Sequence, residues 1–390
     1  MIRLCLKFSM TLVCVSALLF PVNKSEANPP LQTNAAGASL IDVKSGRILY
    51  NKMGDTPMKI ASLTKIMTAI VAIEYGNLSD MVKVGKNAYA KEGSSIYLKL
   101  GEEMSLSNML YGLMLRSGND AATAIAEHVG GSVEGFAYLM NEKAQLIGMT
   151  HSHFNNPTGL DDKGEHYASA NDMAKLAAYA LKNPIFQDIV KTKRKKVPNP
   201  NEKWDYVWFN KNKMLAMFEG ADGVKTGYTK LAKRCLVSSA TRGGQQLVAV
   251  TLNDGDDWAD HAKMLQYGFQ NFPLQSIIGK GDKVEGSLWS AGNSFTYPLL
   301  QEEHAQITRK VIPLKEEATD FRLGQRGSLQ ISLRGEQIGS IPLFEANNPR
   351  LKLADTSAFR FQEGERYRES VWGHYWRMLK LTLSKLIALE

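Results

Sequence analysis

The chain has 390 residues, 44% hydrophobic and 22% charged. That is ordinary globular composition, with length enough for a large core and two domains. The formal charge of +8 suits anionic surroundings such as cell wall or acidic lipid. No recognition motif points to nucleic acid, which is not an expected partner.

The first 27 residues read as a leader. "MIRLCLKFSMTLVCVSALLF" puts Arg3 and Lys7 ahead of an apolar run, and Ser25-Glu26-Ala27 supplies small residues where a signal peptidase cuts. The alternative is a retained anchor, for which the run is short. Cleavage after Ala27 removes Arg3, Lys7, Lys24 and Glu26, so the mature chain keeps 8 − 2 = +6. Cys5 and Cys14 leave with the leader, and Cys235 alone cannot form an internal disulfide. It lies in the alternating run "RCLVSSA" and reads as a packed apolar residue.

Two strands around a Lys-Ser-Gly turn are expected over 35–51. A helix follows from about Ser62 to Glu74. Helical periodicity recurs over 106–116, 120–129 and 133–147. "NNPTGLDD" (155–162) is a turn-rich loop, and a capped amphipathic helix covers 169–183. The basic run "KTKRKKVP" (191–198) reads as a solvated loop or helix end. Strands are expected at 223–229, 235–242 and 245–253, the last two joined by Gly243-Gly244, then a closing helix at 258–272. Helices flanked by strands from both ends imply an α+β domain over 28–273. Short strands with turn signals then imply a small β-rich domain over 274–362.

The tail, 363–390, differs again. Trp372, Tyr375, Trp376, Leu379, Leu383, Leu386 and Ile387 fall on one helical stripe, with Arg377, Lys380 and Lys385 opposite. That pattern suits a helix lying in a membrane interface; the alternative is docking on the β-rich domain or on a partner.

Three short motifs carry the chemistry. "SLTK" places Ser62 and Lys65 one helical turn apart in an otherwise apolar segment. A lysine there is costly unless paired or deprotonated. The pair alone proves little, since a chain of this length offers roughly one or two by chance. "SGN" follows at Ser117, Gly118 and Asn119, and "KTG" at Lys225, Thr226 and Gly227. The order matches the Ser-x-x-Lys, Ser-Asp-Asn and Lys-Thr-Gly set of β-lactamases and penicillin-binding proteins. Read singly, each motif has a plainer meaning: an N-cap beside a snorkelling lysine, a helix-end turn, a surface strand.

"ASLTKIMTA", "SGNDAA", "NPTGL…HYASANDMAKLA" and "DGVKTGYT" closely resemble the low-molecular-mass penicillin-binding proteins that act as serine D-alanyl-D-alanine carboxypeptidases. The resemblance runs from about residue 34 to 272, and a β domain with an amphipathic tail also fits that family. It implies a helical cluster packed on an antiparallel sheet. Ser62 would be the acylated nucleophile, Lys65 its general base and Ser117 a proton relay to the leaving amine. Asn119 would hold the substrate amide or the Lys65 side chain. Lys225, Thr226 and Gly227 would bind the substrate and its terminal carboxylate. Backbone N–H groups of Ser62 and Tyr228 would form the oxyanion hole. The implied partners are stem peptides ending in D-Ala-D-Ala and β-lactams that acylate Ser62. No cofactor or metal is implied. The exported, basic layout resembles a Gram-positive wall enzyme of the sporulation branch.

Other readings are weighed on the residues. A class A β-lactamase needs a Glu-x-x-x-Asn loop, and none lies between Ser117 and Lys225. A D,D-endopeptidase is the nearest variant. A β-lactam sensor would need a signalling span, which is not visible. His151 and His153 lack further ligand motifs and read as strand or loop histidines. His166 is expected to fix a loop. Family members often carry an arginine near the start of the closing helix; "DDWADHAKM" has Trp258 and His261 there. Carboxylate anchoring is therefore expected to rest on Lys225 and Thr226.

Overall fold

The computed structural model describes residues 31–161 and 165–353. The expected leader (1–27), the end of the β-rich region (354–362) and the tail helix (363–390) lie outside the described residues.

Gly37–Asp42 (β1) and Ile48–Lys52 (β2) form the expected hairpin. The Asp42 carboxylate closes its turn by accepting from Ser45 N–H and hydroxyl. Ala61–Leu63 make one 3-10 turn that runs directly into Thr64–Tyr75 (α1). Every residue of α1 from Thr64 to Ala72 is buried, so the helix is packed all round.

Met81–Lys83 (β3) pairs with Glu103–Ser105 (β4), an element the sequence pattern did not reveal. The helical run at 106–116 divides. Leu106–Tyr111 (α2) is capped by Ser105, and Gly112–Arg116 widen into a π turn. Asn119–Gly130 (α3) and Val133–Leu146 (α4) follow as expected. The helix expected over 169–183 is Ala170–Ala180 (α5), with Ser169 as N-cap. A separate helix, Pro184–Lys191 (α6), starts on the Asn183 cap with proline at its first position.

The basic run starts at the end of α6, with Lys191 in its last turn, but continues as a strand. Arg194–Val197 (β5) pairs with Tyr206–Phe209 (β6). Lys195 lies over the Tyr111 ring at 4.1 Å, and Lys196 pairs with Asp205 at 2.7 Å. A short helix, Met214–Met217 (α7), leads to Ala221–Thr229 (β7), Lys233–Arg242 (β8), Gln245–Leu252 (β9) and the closing helix Asp257–Asn271 (α8).

The main sheet is antiparallel with order β2-β1-β9-β8-β7. An early strand thus lies beside late ones, as an α+β fold requires. Both faces are covered. Val237, Val248 and Val250 share one core with α1 and α5. On the opposite face Gly268 of α8 sits against Leu40 and Leu247. Strand β7 is the free edge, and the 60–63 turn packs on it.

The following segment is mostly strand, as its texture suggested. Leu274–Ile278 (β10), Trp289–Ala291 (β11) and Phe295–Pro298 (β12) precede Ile307–Pro313 (β13). A one-turn helix, Thr319–Arg322 (α9), comes before the long pair Gln325–Leu333 (β14) and Glu336–Glu345 (β15). β10 pairs with β12, and the others form a sheet of order β11-β15-β14-β13 around Phe295, Leu329, Ile331 and Ile341. Ties to the first sheet include Lys44, whose Nζ donates to Thr296 Oγ1 at 3.3 Å, and Arg47, both from the β1–β2 turn. The Arg47 guanidinium takes Glu303 in a bidentate pair at 2.6 and 2.9 Å and donates to Pro298 O.

Candidate active site

Ser62 stands in the 3-10 turn at the head of α1, and Lys65 is the second residue of that helix. Lys65 is completely buried, yet its Nζ has three acceptors: Ser62 Oγ at 3.1 Å, Asn119 Oδ1 at 2.7 Å and Thr158 O at 2.6 Å. An ammonium group uses all three as a donor. A neutral amine keeps two of those bonds and offers its lone pair to the third partner. Asn119 and Thr158 have no proton to give there, whereas the Ser62 hydroxyl does. The arrangement therefore aims the lone pair of neutral Lys65 at Ser62.

Burial drives the Lys65 pKa well below the usual lysine range, helped by the positive charges of Lys225 and Lys211 and opposed by Asp120. Lys225 is itself buried. Desolvation and the Lys211 charge bring it down to about 7.

Asn119 accepts from Lys65 through its Oδ1. Its Nδ2 donates to Glu92 O at 2.6 Å and its backbone N–H to Ser94 O at 2.7 Å. The neighbouring Asp120 was not singled out from the sequence. Its buried carboxylate accepts from Ser95 Oγ at 2.6 Å and from the N–H groups of Ile96 and Leu98 at 3.1 Å. Asn119 and Asp120 together latch the 92–98 segment beside the cleft. Ser117 precedes them in a left-handed conformation, φ 65°, and is buried. That strained geometry at a non-glycine residue is typical of a functional turn.

On the strand side, Lys225 Nζ donates to Thr226 O at 2.7 Å, Thr226 is half-buried and Tyr228 is 65% exposed. A Cβ at Gly227 would lie 3.2 Å from Ile60 O and 3.3 Å from Leu63 N. The glycine thus serves the close approach of the nucleophile's own turn. Gly159 is stricter: at φ +77° its Cβ would overlap Ala61 O. That approach carries Thr158 O onto Lys65.

His166 holds this loop. Its Nε2 meets Thr64 Oγ1 at 2.7 Å and its ring stands edge-on to Phe154. His153 pairs with Tyr167 in an isolated bridge, and His151 is exposed beside Asp55. Among the described residues no group of three or more His, Cys, Asp or Glu is placed to hold a metal. Cys235 is buried, and desolvation raises its thiol to about 12. His261 does not face the cleft. It is fully buried between Ser238 Oγ and Thr251 Oγ1, and burial lowers it to about 3.

A Ser-x-x-Lys at the head of a buried helix, beside the edge strand of an antiparallel sheet, is the layout of the penicillin-interacting serine enzymes. Comparison with known proteins agrees. The peptidase S11 family, described as D-alanyl-D-alanine carboxypeptidase, matches residues 23–256. The D-alanyl-D-alanine carboxypeptidase DacF of Bacillus subtilis is 33% identical over 322 residues, 80% of this chain and 82% of that one. Penicillin-binding protein 5 from Haemophilus influenzae superposes with a TM-score of 0.66 at 27% identity, covering 81% of this chain and 97% of the other. A mutant of the Streptomyces K15 DD-transpeptidase gives 0.58 at 34% identity, covering 61% and 99%.

The chain belongs to the D-alanyl-D-alanine carboxypeptidase family of low-molecular-mass penicillin-binding proteins. It is a serine-type hydrolase that removes terminal D-alanine from peptidoglycan stem peptides and binds β-lactams.

Proposed function

We propose that the reaction runs through an acyl-enzyme on Ser62. The observation that carries this reading is the Lys65 Nζ, bonded at once to Ser62 Oγ, Asn119 Oδ1 and Thr158 O. Neutral Lys65 takes the hydroxyl proton as Ser62 Oγ bonds to the carbonyl carbon of the penultimate D-alanine. Backbone N–H groups of Ser62 and Tyr228 stabilise the oxyanion, a role supported by the close packing of the 60–63 turn on Gly227. The C–N bond breaks, and Ser117 relays the proton to the departing D-alanine amine. Water then attacks the acyl carbonyl while Lys65 accepts its proton, and that proton passes to Ser62 Oγ as the ester C–O bond breaks. Lys225 and Thr226 line the substrate's carboxyl end, and Gly227 lets the peptide run along the edge strand.

The purified enzyme should release D-alanine from a peptide ending in D-Ala-D-Ala, and Ser62→Ala should release none. Absence of release by the wild type would sink the carboxypeptidase reading. Penicillin should add one acyl group to Ser62 and leave slowly, since no Glu-x-x-x-Asn water site lies between Ser117 and Lys225. Digestion of cross-linked peptidoglycan, read by mass spectrometry, separates carboxypeptidase from endopeptidase action.

The leader over 1–27 and the net positive charge support export to the outer face of the cytoplasmic membrane. The stripe over 368–390 supports peripheral attachment. Deleting 368–390 should move the enzyme to the soluble fraction with activity kept; a truncated protein still on membranes removes that role. A sporulation role rests on the overall layout alone, and expression timed to vegetative growth would count against it.

A further inference from the structure

We propose that the cavity between the end of α6 and α7 is a binding site for a phosphate ester. It lies outside the Ser62–Lys65 cleft and goes beyond the carboxypeptidase reading.

Two asparagines build the cavity. Asn210, just after β6, ties down the start of β5. Its N–H donates to Lys193 O at 2.9 Å, and its Nδ2 donates to Val190 O and Thr192 O at 3.1 Å. Its Oδ1 accepts from Asn212 N–H at 2.9 Å, and Asn212 Oδ1 accepts in turn from Met214 N–H at 3.0 Å. These side-chain turns hold the backbone from 210 to 214 against the end of α6. Beside them is a cavity of about 420 Å³, lined by Lys193, Asn210, Asn212, Lys213 and the 215–217 segment. That size suits a small organic group and not only a lone ion.

The donors around this cavity are unspent. Asn212 is 3% exposed, and its Nδ2 has no hydrogen-bond partner among the described residues. Because Met214 N–H fixes Oδ1, the amide cannot turn round to present oxygen instead. A buried donor left unpaired is unfavourable, and an acceptor brought by a ligand relieves it. Lys193 and Lys213 are exposed, and neither has a carboxylate partner among the described residues. Acids on either side in the sequence are already taken: Asp188 by Lys191 and Tyr111, Asp205 by Lys196, Glu219 by Arg242, and Asp222 by Ser239 and Thr241. The positive charge at the cavity is therefore unopposed at short range.

Two ammonium groups and an amide fit a phosphate. A lysine is a point charge without the planar fork that matches a carboxylate, and phosphate offers oxygens in several directions. The remaining wall is apolar, with Leu215 buried and Met217 61% exposed. An inorganic ion leaves that wall in water, whereas an ester lays its carbon chain on it. The chemistry is that of a glycerol phosphate, met free in solution or on a lipid headgroup.

Lys211, between the two asparagines, reaches the other way. Its N–H donates to Leu115 O and its Nζ to Ser94 Oγ at 3.4 Å, on the cleft rim. One turn thus borders both cleft and cavity.

The test is calorimetric titration of the full chain with glycerol 3-phosphate and with inorganic phosphate. The ester should bind more tightly than the ion. Lys193→Ala and Lys213→Ala should each weaken it about ten-fold, the scale of one charge-assisted bond. Asn212→Asp keeps the acceptor for Met214 N–H but replaces the amide donors by a repelling charge, so it should abolish binding. The lysine variants decide the matter if that one does not fold. Lys203→Ala, an exposed lysine that does not line the cavity, should bind as wild type.

No binding by wild type overturns the proposal, as does an equal loss in Lys203→Ala, which would reduce the effect to bulk charge. Inorganic phosphate binding as tightly as the ester overturns the ester assignment. Flotation on phosphatidylglycerol vesicles then separates the sources. Weaker flotation of the Lys193→Ala, Lys213→Ala double variant assigns the site to the lipid headgroup, and equal flotation assigns it to the free ester. None of these readouts needs peptide cleavage, so they stand apart from the carboxypeptidase reading.

Discussion

At the residue scale, the central fact is that two lysines are buried together without a carboxylate bonded to either among the described residues. Burial is the main cause of the low pKa of each, and like charge adds to it. Lys211 contributes to both although its own side chain is exposed. Removing that positive charge lets Lys65 hold its proton to higher pH. Lys211→Ala should therefore move the acidic limb of the pH–acylation profile to higher pH, read with a chromogenic β-lactam as a several-fold loss on the acid side. An acidic limb that stays put or moves down would contradict this.

The same shifts affect stability. Lys225 in the folded state sits near 7, below its unfolded value of 10.5. The folded protein thus binds fewer protons between those limits, and the Lys225 contribution to stability rises with pH from about 7 to about 10.5. Below that window the buried charge costs its full amount. Lys225→Met should raise the unfolding free energy at pH 6 by roughly 1–4 kcal/mol, the range seen when buried charged groups give way to apolar ones. Urea titration measures it, and the expected accompaniment is loss of activity.

At the element scale, the second motif is a latch as much as a catalytic turn. Asp120 ties the 92–98 segment to the head of α3 through one hydroxyl and two backbone N–H groups, while Asn119 grips Glu92 O and Lys65. An amide at 120 would face donors with donors. Asp120→Asn should cost about 2–3 kcal/mol in urea unfolding, the scale of lost charge-assisted bonds. Acylation should fall as well, because Asn119 then loses its fixed carbonyl partners. Unchanged stability would show that the latch contributes little.

Elements also show where local patterns stop being informative. α6 carried a readable signal, Asn183 followed by Pro184 at the first helical position. β5 did not. Its four residues are Arg-Lys-Lys-Val, and its inward lysine is placed by the Tyr111 ring, which lies far away in sequence. The π turn at Gly112–Arg116 likewise looks like ordinary helix from its apolar spacing, yet it is what delivers Ser117 in its left-handed conformation.

At the scale of the whole molecule, Arg47 joins the two sheets. Glu303 is almost fully buried. Burial would raise its pKa, but the Arg47 and Leu300 bonds outweigh that and hold it below the ordinary glutamate value. Its contribution to stability is therefore present above the unfolded glutamate pKa and lost as pH falls through the lower folded one. The guanidinium also stacks over Phe272 and Tyr297. Arg47→Ala should cost up to roughly 3–5 kcal/mol, because the buried carboxylate keeps the longer Arg334 pair at 3.6 Å and the Leu300 N–H but loses its bidentate partner. Adding Glu303→Leu should recover most of that loss. A single-variant loss under about 1 kcal/mol would place this ion pair among surface-like ones.

The sequence alone carried the α+β pattern, the order of the three motifs and the identities of Ser62, Lys65, Ser117, Asn119 and Lys225. These rest on side-chain chemistry and on periodicities of 2 and 3.6, which are local and therefore readable. Tertiary structure decided what bonds Lys65, because Thr158 contributes a backbone carbonyl, a group every residue has and no sequence marks. It also decided that His261 is buried and that Lys211 acts on both lysines. The meeting of Lys193 and Lys213 around one cavity depends on turn contacts that only the folded chain makes.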